Sequence, residues 1–123
     1  MIVAGIGFST RSRPDSLRDA LQRACAAARI EAPQALATAE DKVPTLAPLA
    51  INLGVPLYSF SAQMLSAQST LTYSPRVAAE RCIGSVAEAA ALAGAGPGSR
   101  LLTSRIHAED RLASCALAEG IAI

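Results

Sequence analysis

The apolar run Ile2-Val3-Ala4-Gly5-Ile6-Gly7-Phe8 constrains the fold more than any other segment. A short continuous apolar stretch broken by Gly-x-Gly reads as a buried strand leading into a tight turn. The polar loop Ser9 to Arg13 follows. Pro14 then sits where a first helical turn tolerates it, with Ser12 or Arg13 before it and Asp15 inside the turn. Leu17, Ala20, Leu21, Ala24, Cys25 and Ala28 recur at three- and four-residue spacing, which gives this helix one apolar stripe; Arg18, Gln22 and Arg29 lie on its solvated side.

The same alternation continues. Ala35 to Ala39 is a second strand on the strength of its place between two helices, since its residues are poor β formers. After the polar cluster Glu40-Asp41-Lys42, a second helix runs from Pro44 with Leu46, Leu49, Ala50 and Leu53 as its stripe, and Gly54 is placed for a left-handed cap. Val55 to Phe60 is the third strand. Ser61 caps a short helix through Ala67, and the Ser- and Thr-rich stretch Ser66 to Ser74 reads as a mobile loop. Ser74-Pro75 starts a further helix that Gly84 stops. Ser85-Val86-Ala87-Glu88 is a capping box ahead of an Ala-rich helix to about Ala93. Gly94 to Gly98 is a turn. Leu101 to Ile106 and Leu112 to Ala118 alternate loosely about His107-Ala108-Glu109-Asp110 and read as a closing hairpin. The order predicts one α/β domain over residues 1–123: a three-layer αβα sandwich around a mostly parallel, five-stranded mixed sheet closed by a C-terminal hairpin.

Composition narrows the function. Of 123 residues, 51% are apolar and 17% charged, enough for a core and too apolar for disorder. Much of the apolar fraction is Ala, which favours closely packed helices over a bulky core. Aromatic residues are only 3% and the net charge is +1, so neither a base-stacking platform nor a global field for nucleic acid or membrane is expected. Cys25, Cys82 and Cys115 show no C-x-x-C or Cys/His spacing, so no metal or redox centre is expected and a reducing compartment fits best. Ile2 opens a strand directly after Met1 without a charged leader, which predicts a cytoplasmic protein.

Open α/β sheets bind ligands outside the carboxyl ends of their strands. Those ends carry Gly5, Gly7, Ser9, Thr10 and Arg11 after the first strand, Glu40, Asp41 and Lys42 after the second, and Ser61 after the third. The set is polar, mixed in charge and suited to an anionic ligand. It is not a dinucleotide fingerprint: Thr10 stands at the third glycine position, and Glu40 comes too late for a ribose contact. No cofactor is implied. No Ser/His/Asp, Cys/His or paired-carboxylate set is visible. Lys42, the only Lys, is either a salt-bridged surface group or a contact to a ligand carboxylate, and His107 is read as solvated.

Several segments, in order, resemble the family formed by the C-terminal domain of the cobalamin-biosynthesis protein CbiG and its stand-alone form, CobE. These are Gly5-Ile6-Gly7 with its Ser/Thr/Arg loop, Ala37-Thr38 with Lys42 beyond, and Leu53-Gly54-Val55-Pro56-Leu57 with Phe60. Ser74-Pro75-Arg76-Val77, Gly84, and Val86-Ala87-Glu88-Ala89-Ala90-Ala91-Leu92 continue the likeness, Leu101-Leu102-Thr103-Ser104-Arg105 has Arg105 where the family has Lys, and Ala116 to Ala118 sits in the family's last strand. The resemblance implies a soluble α/β domain acting on corrin-ring intermediates, and adds Thr38, Ser74 and Arg105 to the candidate ligand-binding residues. Full-length CbiG opens a precorrin lactone and releases acetaldehyde, whereas the stand-alone form belongs to the oxygen-dependent pathway. Three functions follow as alternatives: an accessory protein that binds a precorrin-type tetrapyrrole, with other cobalamin-pathway enzymes as further partners; a lactone hydrolase in which Lys42 or Glu40 assists proton transfer; and a scaffold without a small ligand.

Overall fold

The side chains of the sheet alternate between large and small, and this sets how closely each layer of helices approaches. The computed structural model describes residues 1–68 and 86–120. The elements are β1 (Ile2–Phe8), α1 (Pro14–Ala28), β2 (Ala35–Ala39), a 3-10 turn (Glu40–Lys42), α2 (Val43–Leu53), β3 (Leu57–Phe60), α3 (Ala62–Ser66), α4 (Val86–Ala95), β4 (Arg100–His107) and β5 (Ala113–Glu119). The Ser74-Pro75 helix, Cys82, Ser85 and most of the Ser66 to Ser74 loop lie outside the described residues.

The five strands form one open sheet in the order β3-β2-β1-β5-β4. β1, β2 and β3 pair in parallel, while β5 runs antiparallel between β1 and β4, so four of the five strands point the same way. The chain moves from β1 to β2 to β3 with α1 and α2 on one face, then returns to the far edge through α3 and α4. With right-handed crossovers, reversing direction requires the opposite face. The expected αβα layering and closing hairpin are therefore present.

On the α1–α2 face, Ala4, Ile6, Leu36, Cys115 and Leu117 pack with Leu17, Leu21, Leu46 and Leu49. On the other face, Val3, Ala35, Ala37 and Ala39 meet Leu65 of α3 and Ala89 and Ala90 of α4, while Ala116 and Ala118 meet Ala87, Ala91 and Leu92. The residues from Ala87 to Leu92 are all buried, so α4 is enclosed all round, as its lack of a polar stripe requires. β2 forms from Ala, Leu and Thr because all five of its residues are covered by helices on both faces.

One expectation is corrected here. Gly5 and Gly7 do not make a tight turn; both lie within β1, and neither has positive φ. Gly5 is required because α4 sits directly on it: a Cβ there would lie 2.0 Å from the Ala87 carbonyl oxygen and 2.4 Å from the Ala91 nitrogen. Gly7 is less crowded, its nearest neighbour being the Val86 Cβ at 3.3 Å. Gly54 does cap α2 in the left-handed region, at φ 71°. β3 starts at Leu57 rather than Val55 because the Val55 N–H closes that cap on the Ala50 carbonyl and Pro56 has no N–H to give.

Gly5→Ala should lower stability by about 3 kcal/mol or more, equivalent to about 10 °C or more in Tm, because the obstructing atoms are backbone. Gly7→Ala should stay within about 1 kcal/mol. Urea or thermal unfolding of the pair tests this, and equal tolerance of both substitutions would refute the close-approach account.

Candidate functional site

Four loops converge at the carboxyl end of the sheet, and hydrogen bonds tie the one after β1 to the β4–β5 hairpin. After β1 the chain turns through Ser9, Thr10 and Arg11 into the first turn of α1. The Ser9 N–H donates to the Leu112 carbonyl at 2.9 Å, which ties this turn to the β4–β5 hairpin. The Ser9 hydroxyl accepts from the Arg11 N–H at 3.2 Å. Buried Ser16 accepts from the Arg13 N–H and donates to a carboxylate oxygen of Asp110. The other Asp110 oxygen accepts from the Leu112 N–H at 2.9 Å. Ser16, then Leu112, and the charge of Arg13 hold the Asp110 carboxyl below its usual range. Asp19 of α1 accepts from the Glu109 N–H at 2.8 Å and from Arg23 at 2.9 Å.

The predicted residues divide on this scaffold. Thr10, Arg11 and Glu40 are exposed on the edge, and Ser9, Lys42 and Arg105 are half-buried. The Lys42 ammonium lies over the Phe8 ring, 5.2 Å from its centroid, so the end of β2 does face the end of β1. Thr38 is placed differently. It is fully buried, and its hydroxyl donates to the Ile6 carbonyl at 2.8 Å, one residue beyond the last β1–β2 pair, Gly5 with Ala37. Its role is to satisfy that carbonyl inside the sheet. Gly5 and Gly7 are buried beneath α4. Ser74 lies outside the described residues.

Sequence reasoning passed over two groups. Glu88, read only as a capping residue, is fully buried, and its carboxyl oxygen accepts the Arg105 N–H at 2.9 Å. Arg111, in the hairpin turn, is an exposed non-glycine residue at φ 60°. His107 is the last residue of β4 and exposed, in agreement with the sequence reading. Partial desolvation, and then the charges of Arg105 and Arg111, lower its pKa.

The edge is mixed in charge, with exposed Glu40 and Asp41 beside its cations. Arg18, Arg23 and Arg100 are each within 4 Å of an acidic partner, whereas Arg11, Lys42, Arg105 and Arg111 make no ion pair among the described residues. The carboxyl edge can therefore offer guanidinium and ammonium donors to an anion beside an aromatic ring. A cavity of about 440 Å³ between α1 and α2, lined by Leu21, Cys25, Ile30 and Leu49, includes none of the predicted residues. Cys25 and Cys115 are free and buried, and burial raises both thiol pKa values. Among the described residues, no helix is long and apolar enough to cross a membrane.

A proton NMR titration of His107, the single histidine, should give a midpoint below the ordinary value of about 6.5. Arg111→Ala should raise it. In the window between the two values the unfolded chain takes the proton first, so this contribution to stability is present above about pH 6.5 and declines as the pH falls through the folded value. A midpoint at or above the ordinary value would contradict the cationic surroundings.

The family described as cobalamin synthesis G C-terminus matches residues 2–118. No curated protein sequence matches the chain. Among solved structures, CobE, a protein from the cobalamin (vitamin B12) biosynthetic pathway, is 33% identical with a TM-score of 0.81, the match covering 96% of this chain and 92% of CobE. The cobalamin biosynthesis protein chiG of Agrobacterium tumefaciens str. C58 is 29% identical over 99% of this chain and 100% of that one, with a TM-score of 0.73. A protein described as a cobalamin biosynthesis protein G homologue from Sulfolobus solfataricus shares the fold at 16% identity and a TM-score of 0.70; the match covers 99% of this chain and 37% of that one.

Proposed function

Because the chain belongs to the family of the cobalamin synthesis G C-terminus, and so to cobalamin biosynthesis, we propose that its carboxyl edge binds a precorrin-type tetrapyrrole through the ring's peripheral carboxylates. The observation that carries this reading is the group of cations, Arg11, Lys42, Arg105 and Arg111, that have no ion-pair partner among the described residues and are carried by strand ends and loops at the carboxyl edge of the sheet. Corrin precursors carry acetate and propionate groups around a flat apolar macrocycle. Such a ligand calls for several cations spread over an open edge, with an apolar surface such as Phe8 between them. Arg supplies paired N–H donors to a carboxylate, and Lys42 a single mobile charge. The site does not need to be a deep cavity, because the ligand is broad and its charges lie on its rim.

Binding can be followed through the ring's absorption. Dicyanocobyrinic acid, which keeps its carboxylates free, should be retained at tens of micromolar, and dicyanocobinamide, whose side chains are amidated, should bind more weakly. Arg11→Ala and Lys42→Ala should each cost about three- to ten-fold in affinity, and the affinity should fall as salt is raised. No spectral shift and no retention of either corrin would remove the binding reading. Unchanged affinity in both variants would move the site elsewhere, and acetaldehyde release from a lactone-bearing precorrin would replace binding with hydrolysis.

A further inference from the structure

β4 and β5 do not pair evenly. Leu101 faces Ala118, Thr103 faces Leu117 and Ile106 faces Cys115, so β4 carries an extra residue in each of two intervals. A bulge disrupts the ladder on both strands, and each of these bulges has a side-chain acceptor beside it. At the first, the Thr103 hydroxyl accepts from the Leu117 N–H at 3.3 Å. At the second, the Arg105 N–H donates to Glu88 at 2.9 Å, across the interface between sheet and α4. Bulges gather beside functional sites because they re-aim a side chain. This one lies at the carboxyl edge, and the residue it carries is a cation without an ion pair among the described residues. Glu88 is the only Asp, Glu, Lys or Arg among the buried described residues, at 0% exposure. A buried carboxyl group needs hydrogen-bond partners, and one of those that Glu88 has is the backbone N–H of a residue of the candidate site.

We propose that Glu88 is a positioning residue for ligand binding: its carboxyl group fixes the β4 bulge and thereby sets where the Arg105 guanidinium stands at the carboxyl edge. The proposal rests on the reading of that edge as the ligand site, and it extends the reading to a residue that is fully buried. Arg105 also acts on His107, two residues on, whose pKa its charge lowers. His107 therefore reports the position of Arg105 without any ligand.

The test uses three variants. Glu88→Met fills the same buried volume without an acceptor, Glu88→Gln keeps an acceptor oxygen, and Arg105→Ala removes the guanidinium. Two readouts are followed on protein that circular dichroism shows to be folded: the NMR midpoint of His107, and affinity for dicyanocobyrinic acid. Glu88→Met should raise the His107 midpoint in the same direction as Arg105→Ala, and Glu88→Gln should leave it near the parent value. Glu88→Met and Arg105→Ala should each weaken binding by about five- to ten-fold, and the double variant should be no weaker than Arg105→Ala alone. An unmoved His107 midpoint in Glu88→Met overturns the positioning role whether or not the ligand binds. So does full, additive loss in the double variant, because Glu88 would then act apart from Arg105. If Arg105→Ala binds as the parent does, the carboxylate contact at Arg105 fails, while the His107 midpoint still decides whether Glu88 sets the position of Arg105.

Discussion

The contact between α4 and β1 at Gly5 organises the molecule. Helix backbone touches strand backbone there, and a side chain as small as alanine would collide with the Ala87 carbonyl oxygen. The seam continues as Ala91 over Gly5 and as Gly94 over Val3 and Ala37. Burying a methyl-sized group stabilises by only about 0.8 kcal/mol, so a layer of alanines holds through close approach and many short contacts rather than through area. This is why the two faces of the sheet differ. Leucines and Ile6 fill the wider gap beneath α1 and α2, while glycine and alanine line the narrow gap beneath α4.

The carboxyl edge follows from that arrangement. With α4 seated on β1, the helix begins beside Gly7 and brings Glu88 up to the second bulge of β4. From the other face, the first turn of α1 reaches the hairpin through Ser16 and Asp110. The end of β1 is thus flanked by one helix from each layer. The loop that carries Thr10 and Arg11 is braced at Ser9 by the hairpin and at Ser16 by Asp110. Cations placed on such a frame lose less freedom on meeting a ligand than cations on a free loop would, which favours binding at a given number of contacts.

Most of the architecture was legible in the sequence, because periodicity and punctuation agree. The Leu17-to-Ala28 stripe, Pro14, Gly54 and Ser61 all act as their residue types predict. β2 was legible only from its position, since Ala-Leu-Ala-Thr-Ala has no β preference to offer. The role of Gly5 was not, because glycine serves both positive φ and close approach, and one glycine does not say which. A signal was present in the neighbouring strands. Ala35, Ala37 and Ala39 on β2, and Ala116 and Ala118 on β5, are small at every second position, as are Gly5 and Gly7, and together they trace one thin face of the sheet. The bulges were hidden for a different reason: register belongs to a pair of strands, and the loose alternation of Leu101-Leu102-Thr103 was their only trace in the sequence. For the same reason Glu88 could be read as a helix cap but not as a partner of Arg105.

A net charge of +1 excludes a global field, but the cations and acids are not mixed evenly. Asp15, Asp19, Glu109 and Glu119 are engaged by Arg18, Arg23 and Arg100, and Asp110 is held by Ser16 and a backbone N–H. Glu40 and Asp41 stand at the same edge, and a carboxylate held by neutral donors keeps its charge, so a balanced chain presents guanidinium and ammonium groups there among acids rather than a field of one sign. The field of each such group is screened within about 10 Å at ordinary salt. A charge pattern of this range does not draw in a long polyanion. It discriminates among small molecules by where their carboxylates lie, which is the demand that a ring with acidic groups around its rim would make of its binding protein.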